Sequence, residues 1–213
     1  NRTKITFDNT NSAENLENFP VLVTLTAADI DFDKIKAGGA DIRFVDNGGS
    51  TPLSYEIEAW DDTPGSESAT VWVKVPQLDS ASNTDYIHMY YNNTDAADAQ
   101  TAAGVWDANH KGVYHLSEDF ATAGAGGILD STSNDHDGTD TGGMDSDDQV
   151  AGMAGGSVRF NSSAEYIDFG DVADFDFGLS DFSVSFWVKG GAADDAFLTK
   201  SASDGPYDGI YLY

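Results

Sequence analysis

Thr70-Val71-Trp72-Val73-Lys74-Val75-Pro76 sets three valines on one side of an extended chain and Trp72 and Lys74 on the other. Alternation with period two marks a strand with two different faces, because successive side chains leave a pleat in opposite directions. Pro76 has no N–H to give to a ladder and is expected to end that strand. Outward from this stretch the same texture recurs. Lys4 to Asn9, Val21 to Thr26, Asp41 to Asp46, Leu53 to Trp60 and Tyr86 to Asn92 read as further strands, with Gly48-Gly49 and Pro64-Gly65 as turns. Helical spacing is scarce, and only residues 29–37 and 95–101 read as short helices. The expected fold class is all-β.

Before residue 103 glycine is sparse, and after it glycine-rich loops interrupt each apolar run. The change of texture places a domain boundary there, giving domains 1–102 and 103–213. Strands expected in the second are Gly112 to Leu116, Ser157 to Phe160, Tyr166 to Phe169, Phe182 to Lys189, Phe197 to Lys200 and Gly209 to Tyr213. Between the first two of these runs a long acidic stretch, Glu118 to Gly156. So long a connection needs a ligand or short strands of its own.

Charge narrows the choice of partner. Against 37 Asp and Glu stand 10 Lys and Arg, a formal net charge of -27. Such a field repels phosphate backbones and anionic membrane surfaces, and no basic stripe offsets it, which argues against nucleic acid. The 40% of hydrophobic residues can nonetheless build a core. Self-repulsion of the folded body calls for counterions, at a Debye length of about 3 Å in 1 M salt. The chain has no cysteine, so disulfides and thiolate sites are excluded. No apolar run approaches the roughly 18 residues of a membrane helix.

Gly112-Val113-Tyr114-His115-Leu116, Asp130-Ser131-Thr132-Ser133-Asn134, Asp137-Gly138-Thr139, Tyr166-Ile167-Asp168-Phe169-Gly170 and Phe182-Ser183-Val184-Ser185-Phe186-Trp187-Val188-Lys189 occur in that order. The series resembles the concanavalin A-like, laminin-G-like jelly rolls of microbial surface proteins. Phe19 to Val23, Asp41 to Phe44, Tyr55 to Glu58, Val71 to Pro76 and Met89 to Asn92 are similar to an uncharacterised domain that precedes such jelly rolls. The resemblance implies a β-sandwich domain followed by a jelly roll. That jelly roll is incomplete in this chain, since the family's sheet continues for several strands past the Phe-Trp strand. The expectation is a piece of a longer protein, or a sheet completed by a neighbouring copy.

Four constellations are candidates for chemistry. Asp130, Asn134 and Asp137 supply the oxygen ligands that Ca²⁺ requires, and related sandwiches carry such an ion; the alternative is a solvated acidic surface. His115, with Glu118 and His136 near it in the strand and loop, suits zinc or general-base work, or else faces the core. Glu56-Ile57-Glu58-Ala59-Trp60-Asp61 places two carboxylates on one strand face, as a retaining glycosidase needs, or forms a plain exposed face. Trp106 and Tyr207, in or near loops, are candidate stacking rings for a sugar. The functional expectation is a non-catalytic glycan-binding or adhesion module, extracellular or on the cell surface, assisted by Ca²⁺. Its partner would be a polysaccharide, a cell-surface glycan or copies of itself. The alternatives are a structural stalk or layer domain and a glycoside hydrolase.

Overall fold

A computed structural model describes residues 1–190, 197–201 and 209–212. Its elements in chain order begin with β1 (Arg2–Thr6), β2 (Leu16–Thr26), β3 (Arg43–Val45), β4 (Pro52–Leu53), β5 (Tyr55–Asp61), β6 (Ser68–Leu78) and β7 (Tyr86–Tyr90). Two helical turns follow, α1 (Ala102–Val105) and α2 (Phe120–Ala123). The remaining strands are β8 (Thr139–Thr141), β9 (Gln149–Ala151), β10 (Gly156–Val158), β11 (Tyr166–Asp168), β12 (Leu198–Ser201) and β13 (Gly209–Leu212). The protein is predominantly β, and every ladder is antiparallel.

The valine stripe does what its period requires. Val71 and Val73 are fully buried and Val75 nearly so, while Thr70, Trp72 and Lys74 on the other face are half-buried. β6 is the centre of a three-stranded sheet, β2-β6-β5, and a second sheet runs β1-β7-β3-β4. Val23 and Leu25 from the first join Phe44, Ile87 and Met89 from the second in one core, so the sheets pack face to face. Each such side chain contributes about 1.5–3 kcal/mol when fully removed from water. Asp41, itself buried, ties a loop to this body by accepting from the backbone N–H groups of Lys36, Asn92 and Asn93, each at 2.9 Å.

Several expectations are corrected. β6 does not stop at Pro76 but continues to Leu78. There β6 has, among the described residues, β2 alone as a neighbour, and the position opposite, Asn18, takes φ 50° and makes no ladder pair, so the missing N–H is tolerated. Residues 29–37 hold two 3-10 turns, Phe32–Lys34 and Ala37–Gly39, and not one helix. Residues 95–101 are not helical, because Gln100 is used elsewhere: its Oε1 accepts from Ile57 N at 2.7 Å along the open edge of β5.

Gly112 to Leu116 forms no ladder. Its polar groups go to the following loop: Val113 N donates to Asp130 Oδ1 at 3.0 Å, and Val113 O accepts from Ser131 N at 2.9 Å. The acidic stretch is not structureless, since it holds α2, β8 and β9. Phe120, Ile128 and Met144 form a second small core there, with Tyr114, Leu116, Val158, Ile167 and Phe169 packed around it. Short antiparallel pairs join β8 to β11, β9 to β10 and β12 to β13. Residues 182–189 are not a strand; Phe182, Val184, Phe186, Trp187 and Val188 are exposed. No described strand pairs with this run, and an unpartnered strand does not hold in water.

The chain divides into two compact units, Asn1–Phe169 and Gly170–Tyr213. The position near residue 103 where glycine usage changes lies inside the first unit. Among the described residues no helix is long and apolar enough to cross a membrane.

Candidate ligand-binding site

The site grows from an irregularity in β5. Tyr55, Glu56 and Ile57 pair with Val73, Trp72 and Val71, whereas Ala59, Trp60 and Asp61 pair with Thr70, Ala69 and Ser68. Glu58 is the extra residue, a bulge. Such a bulge twists the strand and re-aims side chains. Here it keeps Glu56 and Glu58 together on the outer face beside Trp72, and returns Trp60 to the core, where its ring meets Phe32 at 5.1 Å. Asp61 also comes round to the outer side in register, but it is exposed and accepts from Thr63 N and Ser66 Oγ.

That outer face is covered by the chain that follows residue 100. α1 approaches closely: a side chain at Gly104 would meet Ser54 Oγ at 2.6 Å, so only glycine fits without displacement. Trp106 then lies over Trp72, ring centroids 5.3 Å apart, and donates its N–H to Glu56 Oε2 at 3.0 Å. Trp72 Nε1 donates to Glu58 Oε2, and Ser131 Oγ to Glu56 Oε1. His115 fills the space between the two carboxylates. Its Nε2 lies 3.2 Å from Glu56 Oε2, as an ion-pair contact and not an aligned hydrogen bond, and its Nδ1 lies 3.4 Å from Glu58 Oε2. The side chains of Glu56 and His115 are 12% exposed and that of Glu58 4%.

Burial acts on all three groups, and their partners decide the outcome. For Glu56 burial pulls upward, but the contact with His115 and the donors Ser131 and Trp106 outweigh it and leave the carboxyl below its ordinary value. For Glu58 burial prevails over the attraction of His115 and the Trp72 hydrogen bond, and the neighbouring Glu56 charge adds to it, so this carboxyl is raised. Burial would lower His115, yet Glu56, Glu58 and Glu118 together raise it. The result is a buried imidazole whose charged form is favoured by the carboxylates beside it.

An open cleft of about 430 Å³ adjoins this cluster, with Glu58, Trp60, Ser117, Gln149, Gly155 and Gly156 among its walls. Glu58 Oε2 is held by Trp72 and His115; Oε1 receives no donor from the described residues and comes close to Gly155, where an added Cβ would lie 2.7 Å from it. A hollow of equal volume between Ala27 and Tyr91 is lined by Asp29, Asp31, Asp33 and Glu67. There Asp29 is engaged by Thr26 and Asp31 by Lys34, so that hollow has no comparable buried acceptor.

The residues expected from sequence fall as follows. Trp106, expected at the surface, is only 9% exposed, because its ring covers Trp72. His115 lies in the cluster, and Tyr207 lies outside the described residues. Asp130 is buried and its carboxylate is shared by four donors of the chain: Val113 N, Thr132 N, Thr132 Oγ1 and His136 N. Asp137 Oδ1 accepts from Asp130 N at 2.8 Å, and Asn134 Nδ2 donates to the carbonyls of His110 and Lys111. Through these hydrogen bonds the three residues bracket a loop. Among the described residues no group of three or more His, Asp or Glu is placed to hold a metal. Glu118 accepts from Leu129 N at 2.9 Å, and His136 binds Tyr114 OH through its carbonyl at 2.7 Å. The sequence singled out Glu56 together with Glu58, and His115 apart from them; Gln149 carried no signal of a role here.

Residues 38–125 match a family described as a domain of unknown function (DUF2341). The match crosses residue 103 and takes in Glu56, Glu58, Trp72, Trp106 and His115, all of the cluster except Ser131. No curated protein and no solved structure matches the chain.

Proposed function

We propose that the chain is a non-catalytic, glycan-binding module of an extracellular surface protein, with its ligand seated in the cleft beside Glu58. The observation that carries this reading is the cleft itself: about 430 Å³, within the range of small-ligand sites, with the Glu58 carboxylate at its wall. The absence of turnover is supported by the way the carboxylates are used. A retaining hydrolase holds the scissile bond between its two carboxyl groups. Here His115 occupies that place, and both oxygens of Glu56 are engaged by donors of the chain.

The extracellular setting rests on the resemblance to microbial surface proteins and on the acidic exterior. In the same reading residues 103–213 are part of a concanavalin A-like jelly roll, supported by the antiparallel pairing of β8 with β11, which touches two of its motifs. A glycan array with and without chelator tests the function. Retained binding of one sugar class, lost in Ser117→Phe, supports it; silence on every sugar refutes it. Loss with chelator would assign a cation such as Ca²⁺ to the bound state.

A second reading, a stalk or layer domain that associates with its own copies, is favoured by the exposed alternation Phe182, Val184, Phe186 and Val188. Light scattering across a concentration series tests it. Self-association that Phe186→Ser abolishes supports this reading, and a monomer at all concentrations contradicts it.

A further inference from the structure

The outer face of the sheet β1-β7-β3-β4 differs in chemistry from the rest of the chain. Ile87 and Met89 of β7 are buried against the other sheet, so alternation turns Tyr86, His88 and Tyr90 outward. These half-buried rings form a row: Tyr86 meets His88 at 5.3 Å between centroids and His88 meets Tyr90 at 6.4 Å, both edge to face. Beside the row runs β1, whose exposed Arg2, Lys4 and Thr6 pair with Tyr90, His88 and Tyr86. The Lys4 ammonium lies over the Tyr86 ring, 4.0 Å from its centroid, an attraction that holds the charge at the surface without neutralising it. Although the chain has 37 Asp and Glu, β1, β3, β4 and β7 contain neither. Among the described residues neither Arg2 nor Lys4 is ion-paired.

We infer that this face is a second binding surface, separate from the cleft beside Glu58, and that its ligand is an acidic polysaccharide, a chain of uronic acid rings. Glu58 belongs to the outer side of the other sheet, so the inference stands whether or not the cleft holds a sugar. A row of rings offers apolar surface for a pyranose, with the Tyr hydroxyls as polar tips for its own hydroxyls. Arg2 and Lys4 stand two residues apart on one strand, about 7 Å, on the scale of one sugar ring, so successive carboxylates of such a chain can meet them in turn. Each of these contacts is charge-assisted. The net charge of -27 does not forbid them, because distant charges are screened at a Debye length of about 3 Å in 1 M salt, while the two cations meet their carboxylates in contact. A polynucleotide fits less well, since its phosphates follow one another at about 3.4 Å along a strand and two cations answer few of them. The acidic exterior of a second copy would bring carboxylates but no sugar ring to the aromatic row.

The test is calorimetric titration of the full chain in 1 M salt with tetragalacturonate and with its methyl ester, which keeps the rings and loses the charges. The acid is expected to bind at least about tenfold tighter. Replacing Arg2→Gln and Lys4→Gln together, at exposed positions that leave the core alone, is expected to remove that preference, and Tyr90→Ala to weaken both forms. Lys34→Gln, at an exposed cation elsewhere, and Ser117→Phe, in the cleft, are expected to change nothing. Equal or tighter binding of the ester would overturn the inference, as would a preference that survives the loss of Arg2 and Lys4. Loss of binding in Ser117→Phe would place the ligand in the cleft and overturn it too, and a uridine octanucleotide that binds as tightly as the acid would overturn the choice of a sugar. Binding of a neutral sugar on the array with none of tetragalacturonate sinks this inference alone. Binding of tetragalacturonate that Ser117→Phe leaves intact, with every neutral sugar silent, supports it and removes the cleft reading.

Discussion

Replacing His115 by alanine removes the only imidazole between two carboxylates whose side chains are 12% and 4% exposed. Taking one partner from a buried ion pair costs roughly 3–5 kcal/mol, because the other charge is left without compensation. The lower end applies here, since Glu56 keeps the Trp106 and Ser131 donors and Glu58 keeps Trp72. The expected loss at pH 6 is therefore about 3 kcal/mol, or a drop in Tm of about 6–12 °C for a chain of this size. Urea unfolding in 1 M salt, followed by tryptophan fluorescence, is the assay. Trp72 and Trp106 both pack on His115, at 6.3 and 6.1 Å between centroids, so the signal reports the cluster directly. In a Glu58→Gln background one carboxylate is already neutral, and the same His115→Ala change is expected to cost at least about 1 kcal/mol less. Equal costs in the two backgrounds, or a loss under about 1 kcal/mol at pH 6, would refute the charge clamp.

Three further outcomes are expected. Because the folded-state value of His115 is raised, its contribution to stability is fully present below about 6.5 and is lost as pH rises through the folded value; that of Glu56, lowered, is present above about 4.5 and is lost as pH falls through its folded value. Unfolding free energies measured from pH 4 to 9 should show the alkaline decline, and His115→Ala should flatten it. Met89→Ala, at a fully buried site between the two sheets, should cost about 2–5 kcal/mol by chemical denaturation without change of fold. Asp130→Ala leaves four donors without an acceptor and should cost about 2–4 kcal/mol, with limited proteolysis appearing first between residues 130 and 137.

The sandwich was legible because its strands obey period two: Val71, Val73 and Val75 announce a buried face, and Phe44, Ile87 and Met89 face them from the second sheet. Strand ends were less legible. Pro76 breaks a ladder only where the strand beside it needs its N–H, and whether it does cannot be told by reading residue types. Gly112 to Leu116 has strand composition but no partner, and partners lie outside local sequence. The site was legible only in pieces. Glu56 and Glu58 shared a face on paper, but the bulge that keeps them there and turns Trp60 inward depends on β6. Contacts such as Glu56 with Ser131, 75 residues apart, follow from which face the later chain covers. Trp106 was read as a surface ring for the same reason, since nothing near it in sequence shows that Trp72 lies beneath it.

A pH titration of the His115 imidazole by NMR reaches the shared claim most directly, that the sheet and the later chain meet in one buried charged cluster. The midpoint is predicted to lie above 6.5 in the intact chain and to move down in Glu58→Gln. A midpoint at or below 6.5 that does not move with that substitution would contradict it.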